Sequence, residues 1–322
     1  SRPVMLESLV VVARQVGILF MLMGVGFVCR RVKLLGEASL KGMVDLLILV
    51  VTPCLIVHAF QAHPFEPRLL VGLGWAFALA VLAPALGMVA AYLFVRDRDV
   101  RTRSVLRCAI VFSNAGFMGI PLEYALLGPD GVFYGVAYVV VFNLLFWSWG
   151  LVTFCGSLKD VRMRTLFLNP GSIGVVLGLP LFLCSWKLPE VVGTPVRMMA
   201  DLNTPLAMII IGANLATAQF GPVVRLPKAY LAGALRLVVV PGAFLALVWA
   251  FARLGVALEP KMAVAIVTAA SAPVAALTSM FAVRYGRDVA LSVGLVSSTT
   301  LLSILTMPPL VGLAMWLFGV VP

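Results

Sequence analysis

The residues best placed to do chemistry lie in two short polar interruptions of otherwise apolar runs. The first reads Phe112-Ser113-Asn114-Ala115-Gly116-Phe117-Met118-Gly119-Ile120-Pro121-Leu122-Glu123, the second Ala270-Ser271-Ala272-Pro273-Val274-Ala275. Two glycines and a proline behind Ser113 and Asn114 predict that a helix unwinds there, and Pro273 predicts the same for the second run. Backbone groups freed inside a bilayer cannot face lipid, so they face protein or a water-filled cavity. Each break also begins a new helix, whose unpaired N–H groups and positive dipole end suit a carboxylate or another anion. A lone proline of this kind is commonly a plain kink. Two breaks at like positions weigh against that reading.

Other polar groups in apolar runs are few enough to name. Asn143 and the cluster Ser297-Ser298-Thr299-Thr300 are uncharged candidates for substrate contact, alongside Ser113, Asn114 and Ser271. Packing of helices through small residues is the alternative for the Ser/Thr cluster. Ionisable groups within a span are costly and each needs a reason. Glu123 is either a helix-start acid favoured by the dipole or an ion-coupling group beside the break. Asp45 and Asp201, near the starts of the second and seventh spans, have the same two readings. Arg236 and Arg14 could supply positive charge to an anionic substrate, or snorkel to an interface or pair with an acid such as Glu7. His58 and His63 flank the end of one span and are too few for a metal site. Cys29, Cys54, Cys108, Cys155 and Cys184 sit in apolar runs with no metal or redox spacing. No metal and no cofactor is expected.

The elements that must position these residues follow from composition. Of 322 residues, 62% are hydrophobic and 11% charged, with mean hydropathy +1.09. A soluble domain carries about 25% charged residues, so a soluble enzyme and a secreted disulfide scaffold are excluded. Runs of roughly 20 apolar residues span a bilayer as helices. Ten such spans are predicted, at about 5–29, 42–61, 69–95, 105–127, 131–156, 170–186, 194–217, 229–252, 262–283 and 289–318. The loops after odd-numbered spans hold sixteen Lys and Arg, the alternate loops five. By the positive-inside rule both termini lie outside, in a multi-pass plasma or inner membrane protein. The net charge of +11 is then mostly a topology signal, and nucleic acid is not an expected partner.

Five spans plus five places the two halves, residues 1–156 and 157–322, in opposite orientations. Weak internal similarity agrees: Thr52-Pro53 of span 2 corresponds to Thr204-Pro205 of span 7, and Ala109-Ile110-Val111 of span 4 to Ala265-Ile266-Val267 of span 9.

The chain resembles the auxin efflux carrier family, the PIN-like transporters that include bacterial malonate and malate permeases. The matching stretches are Gly26 to Lys41, Pro53-Cys-Leu-Ile, Ser113 to Leu122, Asn169-Pro170, Pro205 to Leu215, Ser271-Ala-Pro273, Tyr285-Gly-Arg-Asp288 and Thr306-Met-Pro-Pro309. The Asn-x-Gly-x-x-Gly-x-Pro block from Asn114 to Pro121 is the most specific of them. The resemblance implies an all-α membrane protein of ten transmembrane helices in two inverted repeats, with NhaA-like crossed broken helices 4 and 9. Spans 1, 2, 6 and 7 would form a scaffold, and spans 3–5 and 8–10 a transport domain moving by an elevator mechanism, in a homodimer. The broken helices would cross at Pro121 and Pro273. Substrate would bind beside them, among Ser113, Asn114, Gly116, Pro121, Asn143, Ser271, Pro273, Ser298, Thr299 and Arg236. The long cytoplasmic loop of the plant exporters is absent, so a short bacterial-type member is implied rather than an auxin exporter.

The function expected is secondary transport of a small organic anion, a mono- or dicarboxylate or an auxin-like acid. A proton or sodium ion would couple through Glu123, Asp45 or Asp201. The alternatives are a sodium- or proton-coupled carrier of another solute class, or a sensor on the same fold. The sequence has no phosphate-binding GxxxxGK[ST] loop. Nor does it carry an intramembrane arrangement of catalytic residues, so no enzyme is expected.

Overall fold

A chain with so few charges must satisfy its backbone internally in lipid, and it does so with helices. The computed structural model describes residues 2–156, 170–218 and 220–320. The expected loop 157–169, with Lys159, Arg162, Arg164 and the Asn169 of one family motif, lies outside them. The described helices are α1 (Arg2–Arg31), α2 (Glu37–Gln61), α3 (Pro67–Phe94), α4 (Val100–Val111), α5 (Ala115–Leu127), α6 (Pro129–Cys155) and α7 (Pro170–Leu183). They continue as α8 (Glu190–Leu215), α9 (Gly221–Arg225), α10 (Pro227–Arg253), α11 (Pro260–Ser271), α12 (Leu277–Arg284) and α13 (Val289–Phe318). Seven of them, α1, α2, α3, α6, α8, α10 and α13, are long and apolar enough to cross a membrane. The expected spans 4 and 9 are each divided in two, as α4–α5 and α11–α12.

Three of the prolines inside these helices follow a π turn, while a fourth π turn, Phe146–Gly150 of α6, precedes none. Leu47–Val51 of α2, Ala115–Gly119 of α5 and Leu235–Val239 of α10 are π turns. Each ends two residues before a proline, Pro53, Pro121 or Pro241. Proline lacks an N–H and clashes with the carbonyl four residues back. A π turn just upstream shifts the carbonyl register by one residue and so moves the clashing carbonyl away from the ring. In α2 the Leu47 carbonyl accepts both the Thr52 N–H and the Thr52 hydroxyl, the latter at 2.8 Å. The helix therefore continues through Pro121, and the unwinding expected there is displaced upstream, to Phe112–Asn114. The second break, Ala272–Ala276, falls where Pro273 predicts it.

The core is centred on α11, in which every residue from Met262 to Ser271 is buried. A helix apolar all round belongs inside. α11 is packed by α6 and α13, and α6 also lies against α3 and α5. α1 lies between the second half of α8 and α13. Two glycines permit the first contact: a Cβ on Gly26 would overlap the Ile209 carbonyl, and one on Gly212 the Met23 carbonyl. α7 packs on α2 in the same manner, with Gly174 and Gly178 against Ile56 and Phe60.

Polar links tie the helix ends. Lys228, at the start of α10, reaches Asp97 between α3 and α4 at 2.6 Å, and this hydrogen bond holds the Asp97 carboxyl below the usual carboxylate range. Arg287, before α13, donates to the Phe154 carbonyl at the end of α6. On the opposite face, Asp130 at the start of α6 lies 2.7 Å from His63 Nε2 and also pairs with Lys261 of α11.

Candidate functional site

The two breaks meet. Phe112–Asn114 and Ala272–Val274 leave the helical region and pair as a short antiparallel bridge, with Ser113 opposite Val274. The Asn114 N–H donates to the Pro273 carbonyl at 2.7 Å, and the Ala275 N–H to the Phe112 carbonyl at 3.0 Å. The helices thus cross at Ser113 and Val274. Pro273 is part of the crossing, but Pro121 is not: the π turn at Ala115–Gly119 carries the chain on as helix before Pro121 is reached. Four helix ends converge at this point, the carbonyl ends of α4 and α11 and the N–H ends of α5 and α12.

Arg236 occupies the carbonyl side. Its side chain is 1% exposed and reaches from the π turn of α10. Nη1 donates to the carbonyls of Ile110 and Val111 at 3.1 and 3.2 Å, and Nη2 donates to the Ala270 carbonyl. The guanidinium therefore ties the last turns of both broken helices together. Among the described residues no acid pairs with it, and its Nε has no hydrogen-bond partner. A planar fork with five donors is the side chain able to hold two backbone ends at once. The snorkelling alternative for Arg236 is excluded by its burial. Arg14, by contrast, is exposed on α1 and forms no ion pair with Glu7.

The uncharged candidates separate into those at the crossing and those occupied elsewhere. Asn114 is 5% exposed and its side-chain amide bonds to no described residue, so it is free to meet a ligand. Ser113 is fully buried and donates to Tyr138 Oη at 3.3 Å. Thr299 Oγ1 accepts the Val274 N–H at 3.2 Å, so the Ser/Thr cluster of α13 does reach the crossing. Gly116 lies in the π turn with open space around its Cα. Ser271 donates back to the Val267 carbonyl, Asn143 to the Val139 carbonyl and Ser298 to the Leu295 carbonyl. These three side chains are engaged by their own helices.

Among the acids, Glu123 is buried just past Pro121, about two turns into α5. Neither of its oxygens has a hydrogen-bond partner. Room for it is made by missing side chains: a Cβ on Gly135 of α6 would overlap the carboxyl, and one on Gly119 would stand 3.5 Å from Oε1. Asp45 is exposed in α2, away from the crossing. Asp201 is exposed too, but it sits at the bend inside α8 and not near the helix start, because Pro189 caps this helix earlier than hydropathy indicates. Tyr124 Oη approaches Asp201 Oδ1 at 3.5 Å.

Three groups at the site were not singled out from sequence. Tyr138 holds Ser113; its signal is a lone phenol in the apolar run Val136-Ala-Tyr-Val-Val-Val141. Thr278, in the first turn of α12, is buried with an unpartnered hydroxyl. Ser303 of α13 is buried against Met118 of the π turn, its hydroxyl 3.7 Å from the sulfur.

Comparison with known proteins points to a transporter family. A family profile described as membrane transport protein matches residues 11–311. An uncharacterized transporter of Methanothermobacter thermautotrophicus is 26% identical over 297 residues, covering 88% of this chain and 92% of the relative.

Proposed function

The chain belongs to the membrane transport protein family, the auxin efflux carrier type that its sequence resembles, and on that premise we propose that it is a secondary carrier of a small organic anion. The substrate class is a mono- or dicarboxylate such as malonate or malate, or an auxin-like acid. The observation that carries this reading is Arg236, a buried cation without a counter-anion among the described residues, at the meeting point of two broken helices.

The electrostatics can be reckoned simply. Each helix end carries about half an elementary charge, negative at carbonyl ends and positive at N–H ends. Alone, the four ends at the crossing would cancel. Arg236 neutralises the two carbonyl ends, which leaves the N–H ends of α5 and α12 with roughly one positive charge uncompensated. That excess, next to the unengaged Asn114 amide and the Thr278 hydroxyl, suits one anionic group in a site shielded from water.

The wider frame is part of the same proposal: ten spans as two inverted five-helix repeats, residues 1–156 and 157–322, with α4–α5 and α11–α12 as counterparts. Helix packing supports it, since α1 on α8 is matched by α7 on α2, and α6 on α3 by α13 on α10. The links Lys228–Asp97, Arg287–Phe154 and His63–Asp130–Lys261 each join segments that ten spans would bring to one membrane face. Alternating access would move α3–α6 and α10–α13 as an elevator against α1, α2, α7 and α8. The carrier would be a homodimer in the plasma or inner membrane with both termini outside.

The test is a thermal-shift screen of short carboxylates against the purified protein, because a ligand that binds only the folded state raises its apparent stability. Stabilisation by at least one carboxylate, and none by its neutral ester, is expected. A flat response to carboxylates with a response to neutral or cationic solutes would refute the reading.

A further inference from the structure

We propose that Glu123 is a proton-carrying site, and that the protein moves its anion together with protons so that the charge translocated is zero. The proposal rests on the anion-carrier reading and adds what that reading lacks, the coupling ion and its direction.

The geometry around Glu123 offers its carboxyl no partner among the described residues. Its carboxyl is fully buried in a helix pair and accepts no hydrogen bond. Gly135 and Gly119 leave space for the carboxyl and nothing that could bond to it. The titratable groups on packed elements are Tyr124 beside it, Asp130, Tyr134, Tyr138 and Cys155 on α6, Lys261 on α11, and Glu190, Arg197 and Asp201 on α8, the last 3.5 Å from Tyr124 Oη. α1 adds Glu7 and Arg14 toward one end and Cys29, Arg30 and Arg31 toward the other. None of these forms a hydrogen bond or ion pair with the carboxyl. A carboxyl in such a place has no local hydrogen bond to offset its burial, so its charge state is governed by the other buried charges. Yet an acid this costly to bury is not needed for packing, since leucine or glutamine fills the same volume. Tyr138 stands between it and the crossing, within electrostatic reach of Glu123 and of Arg236 and bonded to Ser113.

Charge balance then assigns the direction. Arg236 leaves the crossing with one positive charge. With a monoanion bound and Glu123 protonated, a dicarboxylate entering as its singly protonated form, the buried set sums to zero. With no substrate and Glu123 ionised, it again sums to zero. The other two combinations, protonated and empty or ionised and loaded, carry a net charge of one through the low-dielectric core and are disfavoured. The neutral pair of states is that of proton–anion symport. The proton is taken up from water by a Glu123 oxygen on the side where the anion binds, and is returned to water on the other side as the anion leaves.

The test uses the full-length protein in liposomes with radiolabelled lactate, malonate and indole-3-acetate. Exchange against the same acid inside and net uptake are followed in parallel, with a trapped pH dye reporting proton entry. For the wild type, proton entry should equal the negative charge carried in. A one-unit acid-outside pH gradient should drive accumulation toward tenfold, and a potassium–valinomycin potential should drive none. Glu123→Gln, which mimics the protonated acid, should keep exchange within about threefold of wild type and lose at least tenfold in net uptake and proton entry. Wild-type uptake without proton entry, proton movement against the anion, or net uptake preserved in Glu123→Gln overturns the proposal. The wild-type stoichiometry decides it even if the variant does not fold. Absence of exchange with all three acids removes the anion-carrier reading itself, which separates the two failures.

Discussion

Replacing Arg236 by glutamine tests the electrostatic core of this protein most directly. The guanidinium binds the carbonyls of Ile110 and Val111, and the unengaged Asn114 amide lies beyond the extended segment Phe112–Asn114. Three residues of extended chain at about 3.3 Å each put the charge about 10 Å from an anion held at Asn114. With an effective dielectric of about 20, that is roughly 1.7 kcal/mol of attraction, or about 15-fold in affinity. Losing the hydrogen bonds to two helix ends adds a stability cost of about 2–4 kcal/mol, because buried carbonyls are left short of donors. Arg236→Lys keeps the charge but cannot fork to both helices, so it separates the two effects. Its affinity should stay within about threefold of wild type, by the charge it retains, while its melting temperature falls. The assay is titration calorimetry with the best-binding carboxylate, with its neutral ester as control. A folded Arg236→Gln variant that binds the carboxylate with wild-type affinity would refute the charge reckoning.

Three further outcomes are expected. Asn114→Ala should abolish carboxylate binding at little cost to stability, because the side chain makes no internal hydrogen bond; unchanged calorimetric affinity would remove it from the site. Gly135→Ala should lower the melting temperature through a cost of about 1–3 kcal/mol, since the new methyl overlaps the Glu123 carboxyl. Much of that loss should return in Gly135→Ala/Glu123→Ala. Asp97→Asn should remove under about 1 kcal/mol at neutral pH, the usual worth of an exposed pair. Because Lys228 holds the folded Asp97 carboxyl below its usual value, the contribution is full above pH of about 4. It is lost as pH falls further, so variant and wild-type melting temperatures should converge in acid.

Long apolar helices were legible because one quantity, hydropathy summed over twenty residues, decides whether a segment can cross a bilayer. All seven long spans start and end within about five residues of the expected positions. α2 and α8 start earlier, at Glu37 and Glu190, because each helix opens on an acid that hydropathy leaves out. The existence of two breaks was legible from Ser, Asn, Gly and Pro in apolar runs. The position of the first was not, because glycine and proline signal a difficulty for the helix without saying how it is resolved, and a π turn resolves it. The Ser113–Val274 pairing was out of reach for a different reason. It joins segments far apart in the chain through backbone atoms, which have no residue-type signature. Tyr138 and Thr278 were missed because a single hydroxyl barely alters the hydropathy of its run. The carbonyls that draw Arg236 inward are likewise invisible in a list of side chains.

The π turns ahead of Pro53, Pro121 and Pro241 bear on how homologous sequences should be compared. Each holds one residue more than an α-helical path of the same length requires. A relative whose helix runs straight through one of these places lacks the extra residue, and the correct alignment then carries a one-residue gap within the helix. Without that gap, every position from there to the helix end is assigned to a face about 100° away from its true one. For α5 the affected stretch includes Glu123. Whether a relative possesses this acid can thus be decided only after its bulge has been counted.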